Sequence, residues 1–287
     1  MLNRLDVELA LRGLVRSRER ASRLVKAGSV TVDGVVATRP SARISPSAAL
    51  VVDDAEFVSR AGAKLAGAVD AFAASGAPVS VERARCVDLG ASTGGFTDVL
   101  LRQGAEQVTA VDVGHGQLVD ELRDDPRVVN LEGLNVRDLE PQAFGEIDVL
   151  VGDLSFISLR LVLPVVASLV SEKTDIVLLV KPQFEIGRDR LGATGVVKSL
   201  EQRAECVTAV AEAAAHAGLS SVGLVPSSLP GPNGNREFVL RLRAGEPPAS
   251  VVPADIVRSA VRWETDHDEI ATFPTWIAHR TTWTEEP

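Results

Sequence analysis

Val87-Asp88-Leu89-Gly90-Ala91-Ser92-Thr93-Gly94-Gly95-Phe96-Thr97 reads as the end of a buried strand, a glycine-rich turn and the start of a helix. Glycines at 90, 94 and 95 admit unusual backbone angles and the close approach of a ligand. Downstream, apolar strand-like stretches at 107–111, 128–131, 147–151, 176–180, 221–225 and 237–242 follow the one at 85–89. Helical stretches near 95–102, 117–123, 159–170 and 200–217 separate most of them. Near-continuous apolar strands alternating with helices imply a mainly parallel sheet covered on both faces. No long helix fits between the last two strands, so the final one is expected to insert antiparallel.

The chain is 287 residues long and 45% hydrophobic, enough for two domains and a real core. Its net charge is −9, which argues against a surface coated in basic residues. Residues 1–45 nevertheless carry nine Lys/Arg against four Asp/Glu. A basic front end on an acidic body suggests a nucleic-acid grip, and a solvated helix face is the alternative. Cys86 lies in an apolar strand and Cys206 in an Ala-rich helix; both read as buried thiols, with no disulfide framework. Residues 1–12 lack the pattern of a signal peptide. The apolar stretch 147–170 is interrupted by Asp148, Asp153, Arg160 and Pro164, so no membrane span is expected and the cytoplasm is the default location. His115, His216, His267 and His279 show no ligand spacing, and no metal is expected.

At the front, residues 5–14 read as a short helix with apolar Leu5, Leu9 and Leu11, closed by Gly13. Ser17 can cap a second helix to Ala27, stopped by Gly28, with Ala21, Leu24 and Val25 inward. Arg16, Arg20 and Arg23 recur at three- and four-residue spacing on another side. Residues 29–32 and 35–38 flank Asp33-Gly34, a strong hairpin signal. This piece resembles the alpha-L RNA-binding module first known from ribosomal small-subunit protein four. The match rests on Ser17, Arg18, Ala21, Leu24, Gly28, Val30, Val32, Asp33 and Gly34. Such modules hold structured RNA through phosphate and shape contacts. The resemblance implies Arg16, Arg18, Arg20, Arg23 and Lys26 as phosphate contacts, joined by Arg60 at the start of the next domain.

The expected boundaries are 1–54 for the RNA-binding module, 55–58 for a linker, 59–245 for the α/β body and 246–287 for a C-terminal extension. In that extension a helix is expected over 254–263. The acidic remainder, with Trp276 and Trp283, reads as an exposed, disordered tail.

In an open parallel sheet, ligands bind beyond the carboxyl ends of the strands, where strand order reverses. The Gly90 turn is expected there. A dinucleotide fingerprint needs Gly-x-Gly-x-x-Gly, with a pyrophosphate on a helix N-terminus. Here the spacing is Gly-x-x-x-Gly-Gly and Asp88 stands just before it. An anion at that point suits a cationic ligand better than a pyrophosphate. S-adenosyl-L-methionine carries a sulfonium and an amino group and lacks phosphate, so it fits better than NAD. Asp112, closing the second strand, is placed to accept from two ribose hydroxyls, which serves either ligand. Asn135 either faces the adenine or, with Asp138, is only a turn and a helix cap. The expected cofactor residues are Asp88, Gly90, Ser92, Gly94, Gly95, Phe96, Asp112, Asn135 and Asp153.

Two more strand ends carry charge: Asp153 after the fourth strand and Lys181 after the fifth. A lysine closing a buried strand is either a satisfied structural ion pair or a proton acceptor tuned by burial and neighbours. Lys64 begins the first helix of this domain, and Glu237 opens its last strand after the turn-rich stretch 230–236.

Lys64, Asp153, Lys181 and Glu237 match in order the Lys-Asp-Lys-Glu tetrad of FtsJ-type RNA 2′-O-methyltransferases. Over residues 3–244 the chain resembles the TlyA family, known both as hemolysins and as ribosomal RNA methyltransferases. The motifs are Val58-Ser-Arg-Ala-Gly-Ala-Lys-Leu65, Asp88 to Thr97, Val111-Asp-Val-Gly114 with Gln117-Leu118, Asp153-Leu-Ser-Phe-Ile-Ser158, Val180-Lys-Pro-Gln-Phe-Glu185 and Gly234-Asn-Arg-Glu-Phe238. Ala61 departs from the glycine more usual in the family and leaves Lys64 intact.

The resemblance implies a Rossmann-like, seven-stranded methyltransferase domain, S-adenosyl-L-methionine as cofactor, and cytidine ribose in ribosomal RNA of either subunit as acceptor. A ribose 2′-hydroxyl is a weak nucleophile and must lose its proton as it attacks. Lys181 is the expected general base. Lys64 repels its proton and helps hold the hydroxyl; Asp153 orients Lys181 but also favours its charged form, so the two effects oppose; and Glu237 orients Lys64 or the ribose. The competing readings are an RNA-binding protein without methyl transfer, a membrane-active hemolysin and a nucleotide-dependent oxidoreductase. Against the second, the sequence offers no strongly amphipathic apolar-and-basic segment.

Overall fold

The computed structural model describes residues 3–12, 14–15, 18–26, 28–52, 57–141, 143–245, 249–266 and 275–278, with backbone alone at 19–20, 232 and 263–266. At the front, β1 (Asn3–Arg4) leads into α1 (Leu5–Leu11), then α2 (Arg18–Lys26), β2 (Val30–Val32), β3 (Val35–Val36), β4 (Arg43–Ile44) and β5 (Leu50–Val52). Asp33 and Gly34 both take positive φ, as a tight two-residue hairpin requires. β2 pairs antiparallel with β3 and β5, and β1 with β4. Leu5, Leu9, Ala21, Leu24, Val25, Val30 and Ile44 form a separate small core. Leu11 is exposed, because at 3.6 residues per turn it lies roughly 120° around the helix from Leu5 and roughly 160° from Leu9. The helix ends there rather than at residue 14. Ser17, read as a helix cap, lies outside the described residues.

The second unit begins with α3 (Arg60–Ala74) and continues through β6 (Arg85–Leu89), α4 (Gly95–Arg102), β7 (Gln107–Asp112), α5 (Asp120–Arg123), β8 (Val128–Glu132) and β9 (Val149–Gly152). α6 (Leu159–Leu169), β10 (Asp175–Val180), α7 (Pro182–Glu185), α8 (Leu200–His216), β11 (Leu219–Pro226) and β12 (Phe238–Ala244) follow. α9 (Ala254–Asp266) and β13 (Trp276–Ile277) complete the order. The sheet order is β13-β11-β12-β10-β9-β6-β7-β8. Strands β8, β7, β6, β9 and β10 run parallel, and β12 inserts antiparallel between β10 and β11 as expected.

Alternation along β10 explains the two-faced burial. Ile176, Leu178 and Val180 pack with α6, α8 and α9, while Val177 and Leu179 pack with α3 and α4. Cys86 and Cys206 are free and buried, and burial pushes each thiol up to about 12. No helix among the described residues is long and apolar enough to cross a membrane.

One expectation fails at the C-terminus. Residues 275–278 are not an exposed tail: Trp276 pairs antiparallel with Leu224, adds an eighth strand to the sheet and is 8% exposed against the core. Burial of its indole and two ladder pairings offset the entropy of ordering this short strand. Trp283 lies outside the described residues, as does the side chain of Trp263.

Candidate active site at the switch point

The chain builds the sheet outward from β6 through β7 to β8, then returns to β6's other side with β9. That reversal opens a crevice beyond the carboxyl ends of β6 and β9. It holds a cleft of about 670 Å³, within the range of small-molecule sites. Gly90 and Ser92 line it from the turn, Asp112 and Gln117 from β7 and its loop, Asn135 and Arg137 from beyond β8, and residues 153–158 from beyond β9. Gly90 has φ +82, and a Cβ there would meet the Asp153 carbonyl oxygen at 3.0 Å. The bare glycine therefore lets the 153–158 loop close on the turn. The Asp112 carboxylate accepts from Ser92 N at 2.8 Å and Gly114 N at 2.7 Å, and Ser92 Oγ donates to Gln117 Oε1 at 3.2 Å.

Four of the expected cofactor residues do not line the cleft. Asp88 is fully buried behind the turn and accepts from Thr97 Oγ1 at 2.7 Å. Burial raises its carboxyl to about 7, with Asp153 and Asp112 also raising it and the Thr97 bond opposing. Its Oδ1 is buried without a partner. Gly94 and Gly95 serve helix packing instead. A Cβ on Gly94 would overlap Leu122 and stand 2.8 Å from Leu118 Cδ1, while one on Gly95 would overlap Ser59 Oγ and stand 2.9 Å from Gly62 N. Phe96 is buried in the core between α3 and α4, because the helix turns away from the crevice after Gly94. Asn135 accepts from Arg137 N at 3.1 Å, which makes it the cap of the short turn Val136–Asp138, and it also lines the cleft.

The four charged residues come together as two ion pairs. Lys181 Nζ lies 2.6 Å from Asp153 Oδ1, off the direction of a hydrogen bond, and donates to Ser155 Oγ at 2.8 Å. Lys64 Nζ donates to Glu237 Oε2 at 2.6 Å, with both side chains buried. Val180 pairs with Phe238, so Lys181 and Glu237 continue the same register at the strand ends. The Glu237 carboxylate is enclosed: Gln183 Nε2 donates to Oε1 at 3.0 Å, and a Cβ on Gly231 would overlap it. Of the two partners expected for Glu237, this geometry gives it Lys64.

Five residues quoted within motifs carry contacts that sequence alone does not assign. They are Ser155, Phe156, Gln183, Phe184 and Glu185. Phe156 has φ +64 and is 92% exposed, yet its ring stands 5.3 Å from that of Phe184. The Lys181 ammonium lies 5.9 Å from the Phe184 ring. Glu185 accepts from Ser158 Oγ at 2.6 Å and Leu159 N at 2.7 Å, which fixes the start of α6 to α7. Pro182 at the first helical position after Lys181 was the available signal that the strand continues into a helical turn.

The expected RNA contacts are placed unevenly. Arg18 pairs with Asp6 at 3.1 Å, and Arg23 reaches Glu121 of α5 at 2.8 Å. Arg60 Nη2 donates to the Pro230 carbonyl at 3.4 Å, and Lys26 is exposed. Arg16 and the side chain of Arg20 lie outside the described residues.

Residues 57–244 match the family model of the FtsJ-like methyltransferase, and residues 3–50 match that of the S4 domain. The chain belongs to the FtsJ-like methyltransferase family. This methyltransferase is 52% identical over 244 residues to the 16S/23S rRNA (cytidine-2′-O)-methyltransferase TlyA of Mycobacterium tuberculosis, covering 84% of this chain and 89% of that one. It is 37% identical to Hemolysin A of Brachyspira hyodysenteriae, over 82% of this chain and 98% of that one. A solved structure named "Putative hemolysin from Streptococcus thermophilus" superposes with TM-score 0.72 at 38% identity, covering 92% of this methyltransferase and 96% of that chain.

Proposed function

We propose that this methyltransferase transfers a methyl group from S-adenosyl-L-methionine to the 2′-hydroxyl of cytidine in ribosomal RNA. The observation that carries the reading is the pair of ion pairs, Lys181–Asp153 and Lys64–Glu237, gathered beside the cleft. The residues there fit the cofactor. Asp112 and Asp153 face the cleft, the orphaned Oδ1 of Asp88 stands behind it, and Arg137 is the single cation among the described lining residues. Those charges suit a cationic, phosphate-free ligand. When bound, S-adenosyl-L-methionine supplies the electrophilic methyl carbon.

Asp112 holds ribose hydroxyls, and Gly90 leaves room for a ligand against the turn. Asp153 and Ser155 fix the Lys181 amine. Lys181 takes the proton from the acceptor hydroxyl as its oxygen attacks. Lys64, oriented by Glu237, contributes positive charge that favours loss of that proton. Phe156 offers an exposed ring on which the target base can stack once drawn out of its helix. The S4 domain grips the surrounding RNA, with Arg16, Arg18, Arg20, Arg23 and Lys26 on phosphates and Arg60 at the junction.

The test is transfer of labelled methyl from the cofactor to purified ribosomal subunits, with modified nucleotides mapped by mass spectrometry. Label at the 2′-oxygen of cytidine is the expected result. Label on a base, or on no RNA, overturns the reading.

A further inference from the structure

Glu237 is completely buried, and its two oxygens have different partners: Lys64 from α3 and Gln183 from α7. Gln183 stands two residues after Lys181 on the same rigid turn, which Pro182 opens and Glu185 anchors to the start of α6. Through this side chain the segment carrying one ion pair touches the other. Its carbonyl oxygen is buried without a donor. An unpaired buried acceptor costs stability, so a residue kept only for packing would be better replaced by an apolar one.

We propose that Gln183 is a positioning residue that couples the two ion pairs. Its amide fixes the Glu237 carboxylate, and through it the Lys64 ammonium, relative to Lys181. The amide also draws off part of the Glu237 charge. Without it, that negative charge sits more fully beside the strand end where Lys181 and Glu237 continue one register. Asp153 from the loop after β9 pairs with the Lys181 amine, while Glu237 stands opposite Lys181 in the β10–β12 register and carries Lys64 of α3 as its own partner. Glu185 lies on its own turn and is engaged with α6. Negative charge near an amine favours its protonated form. The inference rests on the assignment of Lys181 as base in the reading above.

The experiment compares wild type with Gln183→Met, which keeps length and removes the amide, and Gln183→Glu, which sets a carboxylate against a carboxylate. Methyl transfer to ribosomal subunits is followed against pH, with cofactor affinity and thermal melting measured on the same full-length proteins. Expected is a fall in kcat of about tenfold to a hundredfold for Gln183→Met, as a small misplacement of reacting groups costs. Cofactor affinity stays within about twofold, since Gln183 does not line the cleft. The pH of half-maximal rate moves up in Gln183→Met and further up in Gln183→Glu. If Gln183→Glu does not fold, Gln183→Met decides alone. An unchanged kcat and pH profile in Gln183→Met, whatever its melting temperature, overturns the coupling role. Failure of wild type to methylate RNA overturns instead the reading on which it rests.

Discussion

Ion pairs stand at both ends of strands β10 and β12, and the two ends differ in kind. At the amino end of β10, Asp175 accepts from Arg241 Nε at 3.0 Å and Nη2 at 2.8 Å, and from Arg243 Nε at 2.9 Å. Arg241 also donates to the carbonyl of Pro78 at 3.2 Å and to that of Ala77, and its guanidinium lies 5.6 Å from the Phe72 ring. At the carboxyl end stand Lys181–Asp153 and Lys64–Glu237, where Asp153 Oδ1 and Gln183 Oε1 lack hydrogen-bond donors. A planar, forked guanidinium saturates its carboxylate and locks β10 to the loop after α3. Lysines present a compact charge that can gain and lose a proton. The saturated end fixes structure, and the unsaturated end holds the lysine to which the proposed function gives the proton transfer.

The sharpest way to break that contrast is to remove one cation from each end. Lys181→Met should lower kcat by about a hundredfold to ten-thousandfold, the usual worth of a general base. Its cofactor affinity should stay close to wild type by isothermal calorimetry, and turnover is compared per folded molecule, since Asp153 loses its partner. Normal turnover would place the amino end and the carboxyl end in the same structural class. Arg241→Met should do the reverse. Loss of a buried partner costs about 3–5 kcal/mol, and here less, because Arg243 still reaches Asp175. Denaturant unfolding should show the loss, while turnover per folded molecule persists.

Asp88 tests whether unsatisfied charge beside the cleft is a cost to stability. Its carboxyl is raised to about 7, so the folded chain retains a proton that the unfolded chain releases near the usual aspartate value. Stability should therefore decline as pH rises from about 4 to about 7 and level off above, by linkage. Asp88→Asn should remove that slope in urea titrations run across the window and should weaken cofactor binding at pH 8. A slope unchanged in the variant would assign the pH dependence to another group. The smallest effect is expected at the front. Replacing Arg18 and Arg23 together should reduce the salt dependence of RNA affinity by a slope of roughly two. Part of it will be masked, since both arginines already hold carboxylate partners in the free protein. An unchanged slope would take these two side chains out of the RNA path.

Much of the fold was legible because apolar runs and helical stretches alternate cleanly. The segment 85–89 and the helix 95–102 fall where periodicity puts them, and β12 inserts where the missing helix requires. The site was legible in its charges: Asp153, Lys181 and Glu237 stand out at strand ends, where burial makes a charge conspicuous. Less legible was the use made of each glycine. Gly90 faces the cleft, whereas Gly94 and Gly95 admit α5 and α3, and no one-dimensional spacing separates a ligand's approach from a helix's. Trp276 reads as tail because its partner Leu224 is 52 positions earlier in the chain. Gln183 is equally silent, since its meaning lies in contact with Glu237 from another strand.

By itself the sequence determined the two-unit architecture, the succession of seven strands along the chain and the residue types able to move a proton, because hydrophobic period and charge at strand ends are local properties. Only the tertiary structure decided that Glu237 takes Lys64 and Gln183 as its partners, that Asp88 lies behind the cleft rather than in it, and that the tryptophan strand extends the edge of the sheet. Those outcomes depend on distances between segments far apart in the chain, which are set when helices pack on both faces of the sheet and bring its carboxyl ends together.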